Sequence, residues 1–376
     1  MSGGGDDKIA GADPGLKGSA RDVELEPFNT LRLPGKAAHF FEAKSTGALI
    51  EATEWAESRG LPITILGGGS NIVVPFDGVP GLVLAPRERG LVFTEGAGSE
   101  VFLDARAGEP WEALVEASVE RELAGIECLT GIPGLAGAAP IQNIGAYGKE
   151  LSEQLVSVEI YDRRAKKTRV LGRDECGFGY RESRFKAEAS EGAGSSIILG
   201  VRLRLERGGA PTIRYRELED AIDKGASLRE VRAKVYELRR AKSMVLDPAD
   251  PNHRNAGSFF TNPILSREEY GRLLERALAG GFIRDEEELP RYPAGEGVKL
   301  AAAFLIERAG LRRGERLGEF GLSSKHTLCI VHHGGGDSRG LLRFAERIQA
   351  RVEEAFGVRL IAEPRLFGPH LRAALS

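Results

Sequence analysis

Apolar side chains recur at helical spacing in some parts of the chain and alternate with polar ones in others. From Thr46 to Arg59 they follow one helical face and Gly60 comes next, which predicts a helix that stops there, and Pro110 is predicted to open a second helix. The same spacing predicts helices at 228–240, 267–279, 300–309 and 340–356. Short apolar runs predict strands at 62–66, 82–85, 91–94, 101–107, 327–331 and 358–362. At 156–160 and 197–205 strict alternation predicts strands with one solvent-facing side, so the pattern as a whole is α+β.

Two segments between these elements suggest how the chain is divided. Residues 1–20 are rich in glycine, alanine and charge and have little to bury, so they are predicted to form a flexible tail. The segment GGAP at 208–211 is predicted to be a linker, because helical spacing dominates after it.

The composition narrows the class of protein. At 376 residues, 41% hydrophobic and 28% charged, the chain is expected to be a soluble globular enzyme of two or three domains. A net charge of -3 offers no general surface for polyanions, so nucleic acid and acidic membranes are not expected partners, whereas a small anionic substrate stays open. No apolar run approaches the roughly 20 residues that cross a bilayer, so the cytoplasm is the expected compartment. Cys128, Cys176 and Cys329 lie far apart and outside any metal-ligand spacing, and they are predicted to be buried free thiols.

Two glycine-rich segments are the strongest indication of a ligand. The segment GIPGLAGAAPIQNIGAYG at 131–148 contains no charged residue, and its glycines leave the backbone open to contact. Gln142 and Asn143 offer donors and acceptors that suit a flat heteroaromatic ring or a diphosphate. A glycine-rich surface loop is the alternative for 131–148, but a second segment, GGGSN at 67–71, follows the apolar run 61–66, and the pair predicts a nucleotide cofactor. The GGGSN segment leads into another apolar run and not into a helix, which argues against a Rossmann unit.

Three further segments contain residues suited to chemistry. In YRESRFK at 180–186, Arg181 has the forked geometry that binds a carboxylate, and a solvated charged turn is the alternative. In NAGSFFTNP at 255–263, Ser258 is either a helix cap or a catalytic hydroxyl, and without an evident activating base it is better suited to donating a proton than to nucleophilic attack. Glu363 follows the apolar run 358–362 and is either a surface acid or a carboxylate held near apolar walls for proton chemistry.

Taken together, these segments resemble those of the UDP-N-acetylenolpyruvoylglucosamine reductase family of bacterial cell-wall flavoenzymes. The resemblance runs from Asn29 to Gly368. Its marks, in the family's order, are FNTLRL (28–33), ILGGGSN (65–71), ARAGEPWEALV (105–115), GIPGLAGAAPIQNIGAYG (131–148), GYRESRF (179–185), RRAKSMVLDP (239–248), NAGSFFTNP (255–263), KLAAAFLIERAG (299–310) and EPRLFG (363–368). Nine matches in order are far more specific than any single motif.

The resemblance implies an α+β fold whose FAD-binding domain is of the vanillyl-alcohol-oxidase (PCMH) type. That domain would span 21–207 in two lobes, about 21–90 and 91–207, and a substrate-binding domain would span 208–363, with 364–376 packing back on the first. FAD is the implied cofactor and NADPH the implied hydride donor. The implied FAD-binding residues are Gly67, Gly68, Gly69, Ser70, Asn71, Gly134, Gln142, Asn143, Gly145, Ala146 and Tyr147.

The resemblance also implies a reaction: reduced flavin delivers hydride to the enolpyruvyl group of a UDP sugar, in peptidoglycan precursor synthesis. Arg181 and Glu363 would polarise the enolpyruvyl carboxylate while Ser258 gives a proton to the ether carbon. Lys242 and, as a weaker candidate, Asn262 would bind the substrate. Tyr215 resembles the tyrosine of a substrate-covering loop in the family's larger subclass, with a packing role at a helix start as the alternative. The protein is expected to be a monomer whose partner is this small molecule.

Several positions depart from the family's pattern. Thr261 stands where lysine is common and Arg308 where glutamine is common, which puts secondary substrate contacts in doubt. His332 and His333 stand where an asparagine is common, and because neighbouring residues of a strand point to opposite faces, surface or packing roles are predicted over a metal pair. A flavin oxidase or a non-catalytic nucleotide-binding regulator is an alternative function. The set Arg181, Ser258 and Glu363 argues against both.

Overall fold

The computed structural model describes residues 15–190 and 194–367. In this part of the chain the helices are α1 (Thr46–Ser58), α2 (Trp111–Glu120), α3 (Arg184–Ser190), α4 (Arg216–Glu219), α5 (Leu228–Ala241), α6 (Arg267–Ala279), α7 (Ala302–Arg308) and α8 (Ser338–Phe356). The strands are β1 (Ala20–Glu24), β2 (Lys36–Ala43), β3 (Ile63–Ile65), β4 (Ile72–Val73), β5 (Val79–Pro86), β6 (Leu91–Glu95), β7 (Glu100–Arg106), β8 (Leu123–Ala124), β9 (Gly145–Ala146), β10 (Lys149–Glu150), β11 (Leu155–Asp162), β12 (Lys167–Gly172), β13 (Ser196–Arg207), β14 (Ile264–Leu265), β15 (Arg291–Ala294), β16 (Gly297–Leu300), β17 (Arg316–Leu317), β18 (Phe320–Leu322), β19 (Ile330–His332) and β20 (Arg365–Leu366). Every predicted helix is confirmed, with limits that agree to within about two residues, the usual uncertainty of helix ends.

The described chain forms two compact units. The first unit contains 15–24, Lys36–Gly68 and Val79–Arg239, and the second contains Leu25–Gly35, Gly69–Gly78 and 240–367. The predicted linker 208–211 lies inside the first unit, because the segment after it packs there: Leu218 of α4 and Val231 and Val235 of α5 are buried together with Cys128. The domain limits implied by the resemblance, 21–207 and 208–363, therefore differ from the limits of these units. That the two ranges bind FAD and substrate, respectively, stays a prediction.

One part of the first unit is a four-stranded sheet in the order β1-β2-β5-β3, covered by α1. The pairs β2–β5 and β3–β5 are parallel, and β1–β2 is antiparallel. Ser45 caps α1 by accepting a hydrogen bond from the backbone of Ala48. The buried face of α1, formed by Leu49, Ala52, Trp55 and Ala56, packs in one cluster with Leu82 and Leu84 of β5.

The other part of the first unit is an antiparallel sheet in the order β12-β11-β13-β7-β6. Trp111, Leu114 and Val115 of α2 are buried with Val101 and Leu103 of β7. The prediction of one solvent-facing side for 197–205 is wrong for the first half of β13. Ile197 and Leu199 face the α1 cluster while Ile198 and Val201 belong to the α2 cluster, so alternation with exposed residues begins only at Leu203.

The second unit is built around α8, which contacts α6, α7 and β18. Its sheets are short, in the orders β14-β16-β15 and β17-β18-β19, and a parallel pair joins β4 to β20. Asp337 caps α8 at its start, and Gly357 ends it with a φ of 69°. Buried apolar side chains along α8, including Leu341, Phe344, Ile348 and Val352, form the face that packs inward.

Two local predictions are wrong. The run 358–362 is not a strand: Ala362 forms a single bridge with Phe260, and the carbonyl of Leu360 accepts a hydrogen bond from the side chain of Gln349 at 2.6 Å and not from a neighbouring strand. The predicted tail is packed from residue 15 onward, because Leu16 is 1% exposed in the α1 cluster and β1 begins at Ala20. Residues 1–14 of that tail, like Gly368 and the residues after it, lie outside the described ranges.

The three cysteines are free and buried, as predicted. Within the described ranges, no helix combines the length and hydropathy that a bilayer crossing requires.

Candidate functional site

The two glycine-rich segments meet within the first unit. A Cβ on Gly68 would lie 2.8 Å from Cα of Gly134, and one on Gly67 would lie 3.2 Å from Cβ of Ala138. Both distances are shorter than ordinary packing allows, so the backbones approach closely because neither glycine has a side chain. The structure thus brings together the start of GGGSN and the centre of the 131–148 segment.

Backbone hydrogen bonds hold the second segment against the end of β7 and the start of α2. The carbonyl of Gly134 accepts from the amide of Trp111 at 3.0 Å, and the amides of Ala136 and Gly137 donate to Glu109 and Ala107 at 2.8 and 3.0 Å. This explains the position of the ARAGEPWEALV motif, which supplies those partners. Main-chain contacts within the protein therefore fix the 131–148 segment without the help of a ligand.

Arg87 is a supporting residue that the sequence did not reveal. Its guanidinium donates to the carbonyl oxygens of Leu66 and Gly67 at 3.4 and 3.2 Å, and to that of Pro86 at 3.0 Å. Its Nε donates to Glu42 at 3.2 Å. These bonds orient the carbonyls that precede the GGGSN turn. An arginine after an apolar strand carries no signal that distinguishes it from a surface arginine.

The rest of the GGGSN segment is held within the second unit by the FNTLRL motif. Gly69 has a φ of 68°, and a Cβ there would lie 1.8 Å from the carbonyl oxygen of Phe28. The amide of Thr30 donates to the carbonyl of Gly69 at 3.0 Å, and its hydroxyl reaches the carbonyl of Ser70 at 3.4 Å. Asn71 donates through its side chain to the carbonyl of Glu363 at 3.4 Å.

A tight hairpin ends the 131–148 segment. Strands β9 and β10 pair Ala146 with Lys149, and the two turn residues Tyr147 and Gly148 have φ values of 49° and 79°, as in a type I′ turn. Burial raises the pKa of Tyr147 well above its usual range, so its hydroxyl stays protonated.

Asn143 supports this hairpin with its side chain. Its Nδ2 donates to Glu150 at 2.8 Å and to the carbonyl of Gly179 at 3.1 Å, and its Oδ1 accepts from the amide of Ser152 at 2.9 Å. Both amide protons are used inside the protein. The cofactor contact predicted for Asn143 would therefore be made by its backbone.

Arg181 lies beside the predicted cofactor residues. It occupies the turn between Gly179 and Glu182 with a φ of 57°, and its guanidinium donates to the carbonyl of Gly145 at 2.9 Å. Ser183 donates to the carbonyl of Ile141 at 2.6 Å, which ties the same turn to the same segment. The YRESRFK segment is therefore more than a solvated charged turn, because hydrogen bonds anchor it to the 131–148 segment.

Tyr215 packs on the hairpin. Its ring meets the ring of Tyr147 edge to face, with centroids 5.5 Å apart and planes at 82°. Glu153 joins the two segments, accepting from Arg214 at 2.9 Å and pairing with the buried Lys149 at 3.3 Å. Tyr215 is also the residue that precedes α4, so the contact with Tyr147 and the helix-start position coexist.

In the second unit, the structure brings Ser258 and Glu363 together. The amide of Glu363 donates to the carbonyl of Phe259 at 2.9 Å, and the amide of Thr261 donates to the carbonyl of Ile361 at 3.0 Å. Ser258 is half-buried and caps no helix. Within the part of the chain that the structure describes, its hydroxyl makes no hydrogen bond, and that leaves its proton available.

The remaining predicted substrate residues, Asn262 and Lys242, lie in the second unit. Asn262 accepts from the amide of Ala302 at 2.9 Å through Oδ1, and so caps α7. Lys242 follows α5 and is half-buried, and its carbonyl accepts a contact from the thiol of Cys329 at 3.8 Å. A substrate contact by Asn262 would therefore use its Nδ2.

The departures from the family's pattern are accommodated locally. The Thr261 hydroxyl reaches the carbonyl of Ile361 at 3.4 Å, and Arg308 lies over the ring of Phe304 at 5.0 Å and pairs with Glu288 at 3.5 Å.

The predicted packing role of His332 is confirmed. It stacks on Phe320 at 4.8 Å, accepts from the amide of Gly336 through Nε2 and contacts the carbonyl of Leu31 through Nδ1 at 2.8 Å. The described residues contain no cluster of three or more side chains that could hold a metal ion.

Two family models match the chain. One, described as the C-terminal domain of UDP-N-acetylenolpyruvoylglucosamine reductase, matches residues 248–367, and one described as an FAD binding domain matches residues 37–170. The UDP-N-acetylenolpyruvoylglucosamine reductase of Thermobifida fusca is 43% identical over 354 residues, covering 93% of this chain and 98% of that protein. The protein of the same name from Streptomyces coelicolor is 42% identical over 354 residues, covering 92% of this chain and 90% of its own.

A solved structure also resembles the chain. The crystal structure of UDP-N-acetylenolpyruvylglucosamine reductase from Thermus caldophilus has a TM-score of 0.60 at 24% identity, and it covers 92% of this chain and 98% of that one. At this identity the likeness concerns the fold. Together with the family models it confirms the predicted α+β class, with an FAD-binding domain followed by a second domain, and FAD as the cofactor.

Proposed function

The chain belongs to the UDP-N-acetylenolpyruvoylglucosamine reductase family of FAD-dependent oxidoreductases, and from that membership we propose its reaction and the residues that perform it. It reduces the enolpyruvyl group of UDP-N-acetylglucosamine enolpyruvate to UDP-N-acetylmuramate, with NADPH as the hydride donor. Its place is peptidoglycan precursor synthesis in the cytoplasm, where it acts as a monomer on a small nucleotide sugar.

The close approach of Gly68 to Gly134 is the observation that carries the cofactor assignment. The two backbones lie this close only because Gly68 has no side chain, and backbone groups left uncovered by side chains suit contacts with a diphosphate, so the residues present fit FAD. The proposed contacts are made by the residues 67–71, by Gly134 and by the residues from Gln142 to Tyr147. When bound there, FAD would supply the hydride-transfer chemistry that links NADPH to the enolpyruvyl group.

Ser258 supplies the proton in this proposal. Hydride addition to the terminal enolpyruvyl carbon leaves negative charge on the ether carbon, and a hydroxyl can protonate so strong a base if it is held at the right place. The Ser258 hydroxyl makes no hydrogen bond within residues 15–190 and 194–367, and the backbone amides of both its neighbours are hydrogen-bonded, that of Gly257 to the Asn255 side chain and that of Phe259 to the carbonyl of Leu328. General-acid assistance of this kind accelerates a reaction by about 100 to 10,000-fold.

Arg181 and Glu363 act on the substrate's carboxylate. The guanidinium of Arg181 donates to the carbonyl of Gly145, and its planar fork has the geometry that binds a carboxylate. Glu363 assists while it is protonated or hydrogen-bonded, since two carboxylates would otherwise repel. Lys242, Asn262 and Tyr215 bind other parts of the substrate.

Separate measurement of the two half-reactions tests the proposal. In Ser258→Ala, NADPH should bleach the bound flavin at the wild-type rate, whereas reoxidation by the enolpyruvyl sugar should slow by about 100 to 10,000-fold. Ser258→Cys, which keeps an acidic hydrogen, should retain more reoxidation than the alanine variant. Ser99→Ala is the matched control, because Ser99 is an exposed serine of the first unit. Equal loss in both half-reactions of Ser258→Ala would refute the role of Ser258, and wild-type protein that takes up no flavin would refute the function.

A further inference from the structure

Asn255 is a buried polar residue at the centre of the turn that precedes Ser258. It is 7% exposed, and its side chain makes three short hydrogen bonds. Oδ1 accepts from the amide of Gly257 at 2.7 Å, and Nδ2 donates to the carbonyl oxygens of Asn252 at 2.7 Å and Ser243 at 3.0 Å. The oxygen and the nitrogen of the Asn255 side-chain amide are therefore both hydrogen-bonded to backbone groups.

From this arrangement, and on the basis of the proposed function, we propose that Asn255 is a positioning residue that sets the geometry of both Ser258 and Lys242. Its bond to Gly257 fixes the residue directly before Ser258. Its bond to Ser243 fixes the residue directly after Lys242. A single side chain therefore joins the turn that carries the proton donor to the turn that carries a substrate-binding cation.

The bond between Asn255 and Gly257 holds a glycine that no side chain covers at its Cβ position. Gly257 has a φ of 73°, and a Cβ built on it would meet no atom of the described residues within 4 Å. On the other side of Ser258, the amide of Phe259 donates to the carbonyl of Leu328 at 2.7 Å. Ser258 is thus held between one anchor made by backbone and one made by Asn255. Loss of the second anchor frees the hydroxyl to move by the small distance that proton transfer does not tolerate.

The test compares three variants as flavin-loaded enzymes. Asn255→Ala removes all three bonds and should slow reoxidation by the enolpyruvyl sugar by about 100-fold, the effect of a displacement on the order of 1 Å, while flavin reduction by NADPH stays at the wild-type rate. Asn255→Ser keeps an acceptor for the Gly257 amide, as in a serine turn, and should fall between the wild type and Asn255→Ala. Asn252→Ala is the matched control: Asn252 is 3% exposed and its side chain makes four hydrogen bonds, one with Asp250 and three with Ser324, but none to the Ser258 turn.

The expected result is a selective loss of reoxidation in the Asn255 variants, in the order wild type, serine, alanine, with thermal stability lowered in Asn255→Ala and Asn252→Ala alike. The inference is overturned if Asn255→Ala reoxidises at the wild-type rate, or if Asn252→Ala loses reoxidation as strongly as Asn255→Ala, since the effect would then be one of general stability. Ser258→Ala separates this failure from that of the proposed function. If Ser258→Ala slows reoxidation and Asn255→Ala does not, only the positioning role of Asn255 is wrong.

Discussion

The main chains of Gly68 and Gly134 touch in a way that no other residue type permits: a Cβ on Gly68 would lie 2.8 Å from Cα of Gly134 and 3.3 Å from its carbonyl carbon. The two residues belong to segments that are far apart in the sequence, and each segment is held by its own partners. Arg87 bonds to the carbonyls before Gly68, and Trp111 bonds to the carbonyl of Gly134. The contact therefore couples two separately supported pieces of backbone, and neither can move aside without breaking those bonds.

Gly68→Ala should weaken FAD binding more than it weakens folding. The new methyl group must push apart two backbones, and such overpacking costs about 1–3 kcal/mol. If that strain falls on the FAD-bound arrangement, the dissociation constant of FAD should rise by about 5 to 150-fold. The measurement is flavin retained after dialysis, together with titration of the stripped protein with FAD.

Gly271→Ala is the control for that variant. Gly271 lies inside α6, and a Cβ there would meet nothing within 4 Å. Alanine should therefore stabilise the protein by about 1 kcal/mol and leave FAD binding unchanged. Unchanged FAD affinity in Gly68→Ala would show that the glycine contact does not form part of the cofactor site.

Acid should weaken the second unit through Asp250. This carboxylate is buried, which alone would raise its pKa, but hydrogen bonds from Lys325 at 2.9 Å and from Asn252 outweigh burial and hold the pKa at about 2. Because the pKa is lowered from its usual value of 3.8, the ionised form contributes stability above pH 3.8, and the contribution is lost as the pH falls toward 2. The shift corresponds to about 2 kcal/mol at neutral pH.

The measurement is the free energy of unfolding of the wild type and of Asp250→Asn between pH 2 and pH 7. The variant should be less stable at pH 7, and the difference should shrink as acid protonates Asp250 in the wild type. A difference that stays constant over this range would mean that the charge of Asp250 contributes nothing and that only its shape matters.

The spacing of apolar residues correctly located the elements that bury only one face. Helix α6 begins and ends at the predicted residues, Arg267 and Ala279, because a capping serine precedes it and one apolar face faces inward. The first half of β13 was interpreted incorrectly because Ile197 to Val201 are buried on both faces, and a strand between two clusters need not alternate. The run 358–362 has the composition of a strand, but a single side chain, Gln349, takes the carbonyl that a ladder would need. How β13 is buried and whether 358–362 becomes a strand depend on residues that are distant in the sequence.

The residues of the candidate site likewise divide into those that the sequence revealed and those that it did not. Motifs revealed the residues whose chemistry is recognisable from their type, such as Arg181, Ser258 and Glu363. Arg87 and Asn255 were missed as supporting residues, because their role consists of bonds to particular carbonyl and amide groups that only the folded chain brings within reach. Sequence patterns indicate which side chains can react, whereas the fold determines which other residues hold those side chains in place.

Tyr215 should contribute to substrate binding through its hydroxyl and to stability through its ring. The ring contacts Tyr147 edge to face, an arrangement worth about 0.5–1.5 kcal/mol. Tyr215→Phe keeps that ring contact, so its thermal stability measures what the hydroxyl alone contributes to the fold. Loss of a hydroxyl that bonds to the substrate should raise KM for the nucleotide sugar by about 2 to 10-fold, the effect of one hydrogen bond of about 0.5–1.5 kcal/mol. Tyr215→Ala should lose both contributions and lower the melting temperature as well.

Tyr236→Phe is a closely matched control, because Tyr236 and Tyr215 are each 38% exposed and both belong to the segment between β13 and the end of α5. It should change neither KM nor stability. If Tyr215→Phe also leaves KM unchanged while Tyr215→Ala lowers stability, Tyr215 acts only by packing on Tyr147, and the helix-start interpretation of the IRYREL segment is the correct one. A higher KM in Tyr215→Phe at unchanged stability separates the two roles, since the hydroxyl is then needed by the ligand and not by the fold.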